Sequence, residues 1–578
     1  MSKTNTLADY DMVLALSETT INYQFSQLHK RNIIRKNWSL LVGNVLNPKP
    51  KETPFSVTDS DKDWEKKLDR WIEIQRQIEQ DEDYGLIAKL KEEGINFDFG
   101  WNAQILSPTV RIKDKDSNNL SLEISFKNGE LYYRPDKIAA VRIFDLKGCT
   151  YAFNVPIGKL EINKDQMVLN AQDEMKKVIR ESGLSEEDFS IESLFLNFEN
   201  ADITSFDKTK SKFPDEIALP LQVAIQNYFN IMVAKSENPY VLGYGVNRRK
   251  IRSSENAMFQ PTSVNFSTSY SSKQDTTNPI RGQFSAFNFL MMLNNRQASH
   301  DQNAGVMSAS LIELGKDTSA TTDGVFAIQN ERFQKYIDSM DKYVESVFAA
   351  QAGVDIQGGF KDGVMKAKHH EKRIDDTVNT VYKLTRQAVQ NHTQPAGLNI
   401  SYKFEVDIEV VVNGVIHTPL GDIQLIRQSI TLSTNGQYTK GDISKKGAIG
   451  YLNFIIKNGI QGRFDLEYSL SKPSIAFDKD TNLIKGDFWE ILAGILSLIF
   501  AWPIKVVEGI VNQIAVDLGT SSAIKEDKNL ERLRNLDILN QTNRVILPLG
   551  KTYAYKNLRY LPEKGIVAYD IAYAPVIE

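Results

Sequence analysis

Cysteine is all but missing from this chain of 578 residues: Cys149 stands alone, so no intrachain disulfide can form and no cysteine-based zinc cage can be built. A dominant charge is also lacking. The 69 Lys and Arg nearly balance the 73 Asp and Glu, for a formal net charge of -4. No global field therefore draws in nucleic acid, which is not expected as a partner, and any charge-driven contact with a membrane surface has to be local. Long hydrophobic runs are absent as well. The most apolar window, Ile491 to Pro503, spans about a dozen residues before Lys505 interrupts it, short of the ~18 to 20 that a membrane span needs. It reads as buried or interfacial. Met1 to Leu16 is polar and acidic where a secretory signal carries a basic flank and an apolar run, so the expectation is synthesis in the cytoplasm without a cleaved leader, with leaderless release left open.

The motifs that define large enzyme classes are missing too: there is no G-x-S-x-G elbow, no H-E-x-x-H and no Walker phosphate loop. A non-enzymatic protein without a cofactor is the expectation. The only histidine pair, His369-His370, is adjacent, so in a helix the two rings diverge, whereas metal ligands want spacings such as i and i+4. Lys366, Lys368, Glu371, Lys372 and Arg373 around the pair favour a solvated polar face over a metal site. Gly243-Tyr244-Gly245 lacks the third glycine and the following helix of a dinucleotide loop and reads as a strand-end turn.

What is present is ample core material, with 41% hydrophobic residues. At this length a single core is not expected, because cores stop growing near ~250 to 300 residues. The expected division is an N-terminal domain over 1–300, with a helical insertion near 61–94, and a C-terminal domain over 301–578. Apolar residues recur at helical spacing from Leu7 to Lys30, from Asp61 to Gly94, and from Phe326 to Phe348, while Leu219 to Lys235 has the composition of a buried helix. A further helix is expected from Asp165 to Ser182 and a strand around Phe189 to Phe198. Leu120 to Phe126, Asn128-Gly129 and Leu131 to Tyr133 read as a hairpin. Ser253 to Arg281, dense in Ser, Thr, Asn and Gln, fits either a polar-faced strand pair or a long loop.

The clearest strand runs from Asn399 to Val412, where Tyr402, Phe404, Val406, Ile408, Val410 and Val412 alternate with Lys403, Glu405, Asp407 and Glu409. Asn413-Gly414, Asn435-Gly436 and Asn458-Gly459 mark successive turns, so Asn399 to Phe477 is expected to form an antiparallel meander. A sheet with one apolar face needs a cover, and the apolar segment from Asp487 onward is the candidate. In that segment Phe488, Trp489, Ile491, Leu492, Ile495, Leu496, Leu498, Ile499, Phe500 and Trp502 leave almost no polar side, and beyond Pro503 a one-sided stripe resumes with Val506, Val507 and Ile510.

Two sets of candidate site residues follow. Trp489, Leu492, Ile495, Ile499, Trp502 and Val507 are candidates for contact with an apolar ligand, against the plainer reading of a core helix clasped by sheet. Arg248, Arg249, Lys250 and Arg252 form a run without acid that suits a phosphate or lipid headgroup, against the plainer reading of an exposed loop.

Several strings, taken in order, carry a resemblance: Tyr10 to Ser17 followed by Ile21-Asn22, Ile191 to Phe198, Asn238 to Tyr244, Phe289 to Met292, Gly324 to Ile328 with Phe333, the apolar C-terminal element, and Leu547 to Tyr553. In these the chain resembles the tubular lipid-binding (TULIP) proteins, and among them the OrfX-type accessory proteins encoded beside clostridial botulinum neurotoxins. The charged segment Asp61 to Gly94 departs from the pattern. The resemblance implies an α+β class and an elongated fold of long, highly curved antiparallel sheets wrapped around long amphipathic helices. It also implies an apolar groove suited to a lipid or phospholipid, and a role beside toxin, virulence or insecticidal complexes with other toxin-cluster proteins as partners. Two alternatives stand beside a lipid-binding accessory protein. One is a scaffold or assembly component whose core is filled. The other is a membrane-active toxin component that releases Asp487 to Val516 to a membrane surface as an interfacial helix.

Overall fold

The computed structural model describes residues 6–42, 99–133, 142–162, 189–234, 238–248, 261–272, 284–296 and 323–335, the backbone of the strands between 355 and 470, most of 545–573, and a few isolated positions between these stretches. Within them the chain forms three antiparallel sheets, two α-helices described from end to end, and the start of a further helix at Asn330. The expected helices Asp61 to Gly94 (apart from six separate positions such as Arg70 and Ile74, which are helical) and Asp165 to Ser182 lie outside the described residues, as do Asp487 to Val516 and the Asn435-Gly436 pair.

The first sheet has six strands: β1 (Met12–Ser17), β10 (Pro261–Ser269), β11 (Ala286–Leu293), β12 (Gly324–Gln329), β22 (Tyr553–Leu561) and β23 (Ile566–Tyr573), in the order β10-β11-β1-β12-β23-β22. Strand β1 lies between β11 and β12, with Met12 opposite Met291 on one side and Ile328 on the other. Both faces of this sheet are packed. Met12, Leu14, Phe289, Phe326 and Tyr569 turn to the main core, and Val13, Ala15, Leu290, Val325 and Ala568 turn to a second cluster with Leu7, Met307 and Leu311. A strand buried on both sides has no polar alternation, so MVLALS passes for part of a helix. The expected helix from Leu7 is therefore corrected. Strand β1 comes first, and only at Ser17, whose side chain accepts from the Thr20 N–H, does α1 (Glu18–Lys30) begin. The expected helix from Phe326 is corrected for the same reason, since Phe326 and Ile328 belong to β12 and helical backbone starts at Asn330.

The second sheet has nine strands: β2 (Asn37–Val42), β3 (Phe99–Ile105), β4 (Thr109–Ile112), β5 (Asn119–Tyr133), β6 (Arg142–Asp145), β7 (Thr150–Ile162), β8 (Phe189–Leu196), β9 (Val241–Arg248) and β21 (Val545–Ile546). Seven run in the order β2-β3-β5-β7-β8-β9-β21, with β4 and β6 also paired to β5. The expected hairpin at Asn128-Gly129 is a correction, because β5 continues through both residues. Gly129 is needed for approach and conformation: its φ is +137°, and a Cβ there would stand 2.5 Å from the Ala103 Cα.

The third sheet holds β13 (Asp355–Lys361), β14 (Val364–Arg373), β15 (Asp376–Arg386), β16 (Gln390–Thr393), β17 (Ala396–Thr418), β18 (Gly421–Leu432), β19 (Ala448–Asn458) and β20 (Phe464–Leu470). The long strand expected from Asn399 is β17, and at 23 residues it exceeds the expectation. Asn413-Gly414 is not a turn but lies inside it, at a register shift against β18. Because β17 pairs with β19 over Gly397 to Val406 and with β18 over Ile408 to Thr418, β18 and β19 lie end to end along one side of it rather than as a simple meander. His369 and His370 sit on β14, opposite Thr380 and Asn379.

Helix α2 (Ala218–Ala234) matches the expected buried helix. The two helices are 13 and 17 residues long, so among the described residues the antiparallel sheets are present and the long amphipathic helices are not.

Candidate functional site

An apolar interior forms where α1 and α2 pack against the nine-stranded sheet. Leu221, Ala224, Ile225 and Phe229 of α2 are buried at helical spacing and face Trp38, Trp101, Phe126, Phe153 and Leu196 from the sheet in one core. Aromatic rings supply its centre. Tyr228 stacks on Trp38 with ring centroids 3.8 Å apart, and Phe229 stacks on Phe198 at 3.9 Å. Trp38 meets Trp101 edge to face at 5.7 Å, and Tyr240 meets Phe198 at 5.1 Å and Phe25 of α1 at 5.8 Å. The edge-to-face contacts at 5.1 to 5.8 Å suit the ring quadrupoles, and the chain's own aromatic side chains line the described part of this interior.

Burial pushes the Tyr240 hydroxyl well above its ordinary pKa and the Tyr244 hydroxyl up to about 12, so both stay protonated across the physiological range. The Tyr240 hydroxyl, the Trp101 Nε1 and the Gln24 amide make no hydrogen bond among the described residues. Tyr151, whose hydroxyl donates to the Ile203 carbonyl at 2.7 Å, ties the 197–217 segment to the sheet. Among the described residues no group of three or more His, Cys, Asp or Glu is placed to hold a metal ion, and Cys149 is buried.

The candidate residues named from sequence fall differently. Trp489, Leu492, Ile495, Ile499, Trp502 and Val507 lie outside the described residues, as do Arg249, Lys250 and Arg252. Arg248 is the last residue of β9, its backbone opposite Phe189. Gly243-Tyr244-Gly245 is corrected from a strand-end turn to the middle of β9. There Gly245 allows the Val264 side chain of β10 to approach, since a Cβ would stand 2.9 Å from it. Lys159 Nζ fastens the same junction by donating to the Val264 carbonyl at 3.0 Å while pairing with Glu192 at 3.1 Å. The aromatic centre was not singled out from sequence. Its rings come from positions between 25 and 240 whose spacing has no local signature, and only the all-round apolar composition of α2 pointed to an enclosing partner.

No family model matches the chain, and no curated protein matches it. Among solved structures it is similar to P47 of Clostridium botulinum E1, with 11% identity and a TM-score of 0.43 over 98% of this chain and 99% of that one. It is similar to P47 from Clostridium botulinum A2, with 11% identity and a TM-score of 0.40 over 99% and 98%. A lipopolysaccharide binding protein matches with 8% identity and a TM-score of 0.29 over 97% and 98%. These likenesses run the length of each chain.

Proposed function

We propose that this protein is a non-enzymatic lipid-handling accessory protein of a toxin or virulence system. The observation that carries the reading is the continuity of one apolar core. It runs from Met12 and Phe289 of the first sheet, past α2 and the nine-stranded sheet, to Leu398, Ile400 and Tyr402 at the start of β17. From there the sequence alternation continues through Phe404, Val406, Ile408, Val410 and Val412. A long apolar strand face of this kind asks for an apolar partner, and an acyl chain is one that fits. In this reading Trp489, Leu492, Ile495, Ile499, Trp502 and Val507 complete the apolar wall, and Arg248, Arg249, Lys250 and Arg252 favour an anionic headgroup. The toxin-cluster setting rests on the sequence resemblance to OrfX-type proteins, whose companions would be the protein partners.

A second reading, an assembly component with a filled core, is favoured by a specific observation: the stacked rings around Phe229 already occupy the interior beside α2. Solvent extraction of the purified protein followed by mass spectrometry separates the two. The lipid-handling reading expects a recovered phospholipid or fatty acid near one per chain. No recovered lipid, together with no binding to phospholipid vesicles, contradicts it and leaves the assembly component.

A further inference from the structure

Helix α1 turns a stripe inward at the spacing that faces a core, Ile21, Gln24, Phe25 and Leu28, and all four are buried. Three are apolar, and Gln24 stands where a leucine is the ordinary choice. Its side chain has no solvent exposure, and neither the amide oxygen nor the amide nitrogen makes a hydrogen bond among the described residues. The other polar side chains that α1 buries find partners. Glu18 accepts the Ile112 N–H at 2.8 Å and pairs with Arg111 at 3.1 Å, and the Thr20 hydroxyl donates to the Asp323 carbonyl at 2.7 Å. Gln24 alone carries the full desolvation cost of its polar group with nothing in the described fold to offset it.

Two more donors without partners stand in the same interior, the Tyr240 hydroxyl and the Trp101 Nε1, on side chains that are also fully buried. The rings that carry them are joined to α1. Phe25, next to Gln24, meets Tyr240 at 5.8 Å, Tyr240 meets Phe229 at 5.9 Å, Phe229 meets Trp38 at 5.8 Å and Trp38 meets Trp101 at 5.7 Å. Donors prevail among the three, because an indole can only donate and a glutamine amide brings two N–H bonds to one carbonyl. Their complement is an accepting oxygen. That oxygen is uncharged: among the described residues no lysine or arginine is fully buried, so an anionic group at this depth would meet no cation.

We propose that Gln24, with Tyr240 and Trp101, is the point at which the interior recognises an uncharged, oxygen-bearing group on an acyl ligand, an ester carbonyl being the simplest. Such recognition rests on the lipid-handling reading and narrows it: apolar surface holds the chain, and these few polar groups select what the chain carries.

Methyl oleate, ionised oleate and octadecene share one chain length and differ in the polar group. Each is equilibrated with the delipidated full chain, excess is removed by gel filtration, and the retained compound is quantified by mass spectrometry. The unaltered protein is expected to retain about tenfold more methyl oleate than Gln24→Leu does, with octadecene and oleate retained equally by both. Equal retention of methyl oleate by the two proteins overturns the ester site and leaves the lipid-handling reading standing. An equal loss of all three compounds in Gln24→Leu assigns the residue to packing and overturns the site as well. If the unaltered protein retains none of the three, the lipid-handling reading falls and the site with it. Should Gln24→Leu not fold, Tyr240→Phe serves, since it removes a hydroxyl that has no partner to lose. It is expected to lower methyl oleate retention about threefold with octadecene unchanged, and an unchanged retention of the ester overturns the proposal.

Discussion

Asp11 has no solvent exposure and stands just before β1, where three donors close on its carboxylate: Arg332 Nε at 2.7 Å, the Leu293 N–H at 2.8 Å and the Arg296 guanidinium. One side chain thereby ties the start of β1 to the end of β11 and to the segment after β12. Removing one partner of a buried pair strands the others, at about 3 to 5 kcal/mol. Asp11→Ala is accordingly expected to lower the urea midpoint by an amount corresponding to that loss, and a change under about 1 kcal/mol would show that the arginines find water instead. Gly129 makes a different kind of demand. Its φ of +137° and its 2.5 Å clearance from Ala103 exclude a side chain. Gly129→Ala is expected to cost at least about 2 kcal/mol in chemical denaturation, and a neutral result would mean that β3 and β5 separate freely at that point.

At the scale of elements, α2 shows what burial does within a single helix. Phe229 is fully buried among stacked rings, whereas Leu219 at the first turn is 60% exposed. Phe229→Ala is expected to destabilise by about 3 to 5 kcal/mol and Leu219→Lys by no more than about 0.5 kcal/mol, measured by thermal or urea unfolding. Comparable losses in the two variants would contradict the packing described for this helix. The same element was legible in the sequence because its apolar composition and length leave little choice. Strand β17 was legible because one of its faces is charged, which keeps the period of two visible. Strands β1 and β12 were not, because packing on both sides of the first sheet erases that alternation. The Asn128-Gly129 and Asn413-Gly414 pairs misled for another reason. At Gly129 the glycine serves a close strand approach and at Gly414 a register shift, and neither is distinguishable locally from a turn.

Across the whole molecule, the pairing of Met12 with both Met291 and Ile328, and of Ile328 with Val567, places strands from both ends of the chain in one sheet. No local pattern announces such long-range partners, and the same limit hid the aromatic centre, whose rings come from elements far apart in the sequence. The apolar continuity from β1 to Tyr402 is the property of the assembled chain on which the lipid-handling reading depends. Its most direct test is native mass spectrometry of the full chain after incubation with mixed zwitterionic and anionic phospholipid vesicles. The account predicts a discrete added mass of one or a few phospholipids per chain that survives removal of the vesicles. A spectrum holding only the mass of the protein, at every lipid ratio tried, would contradict it.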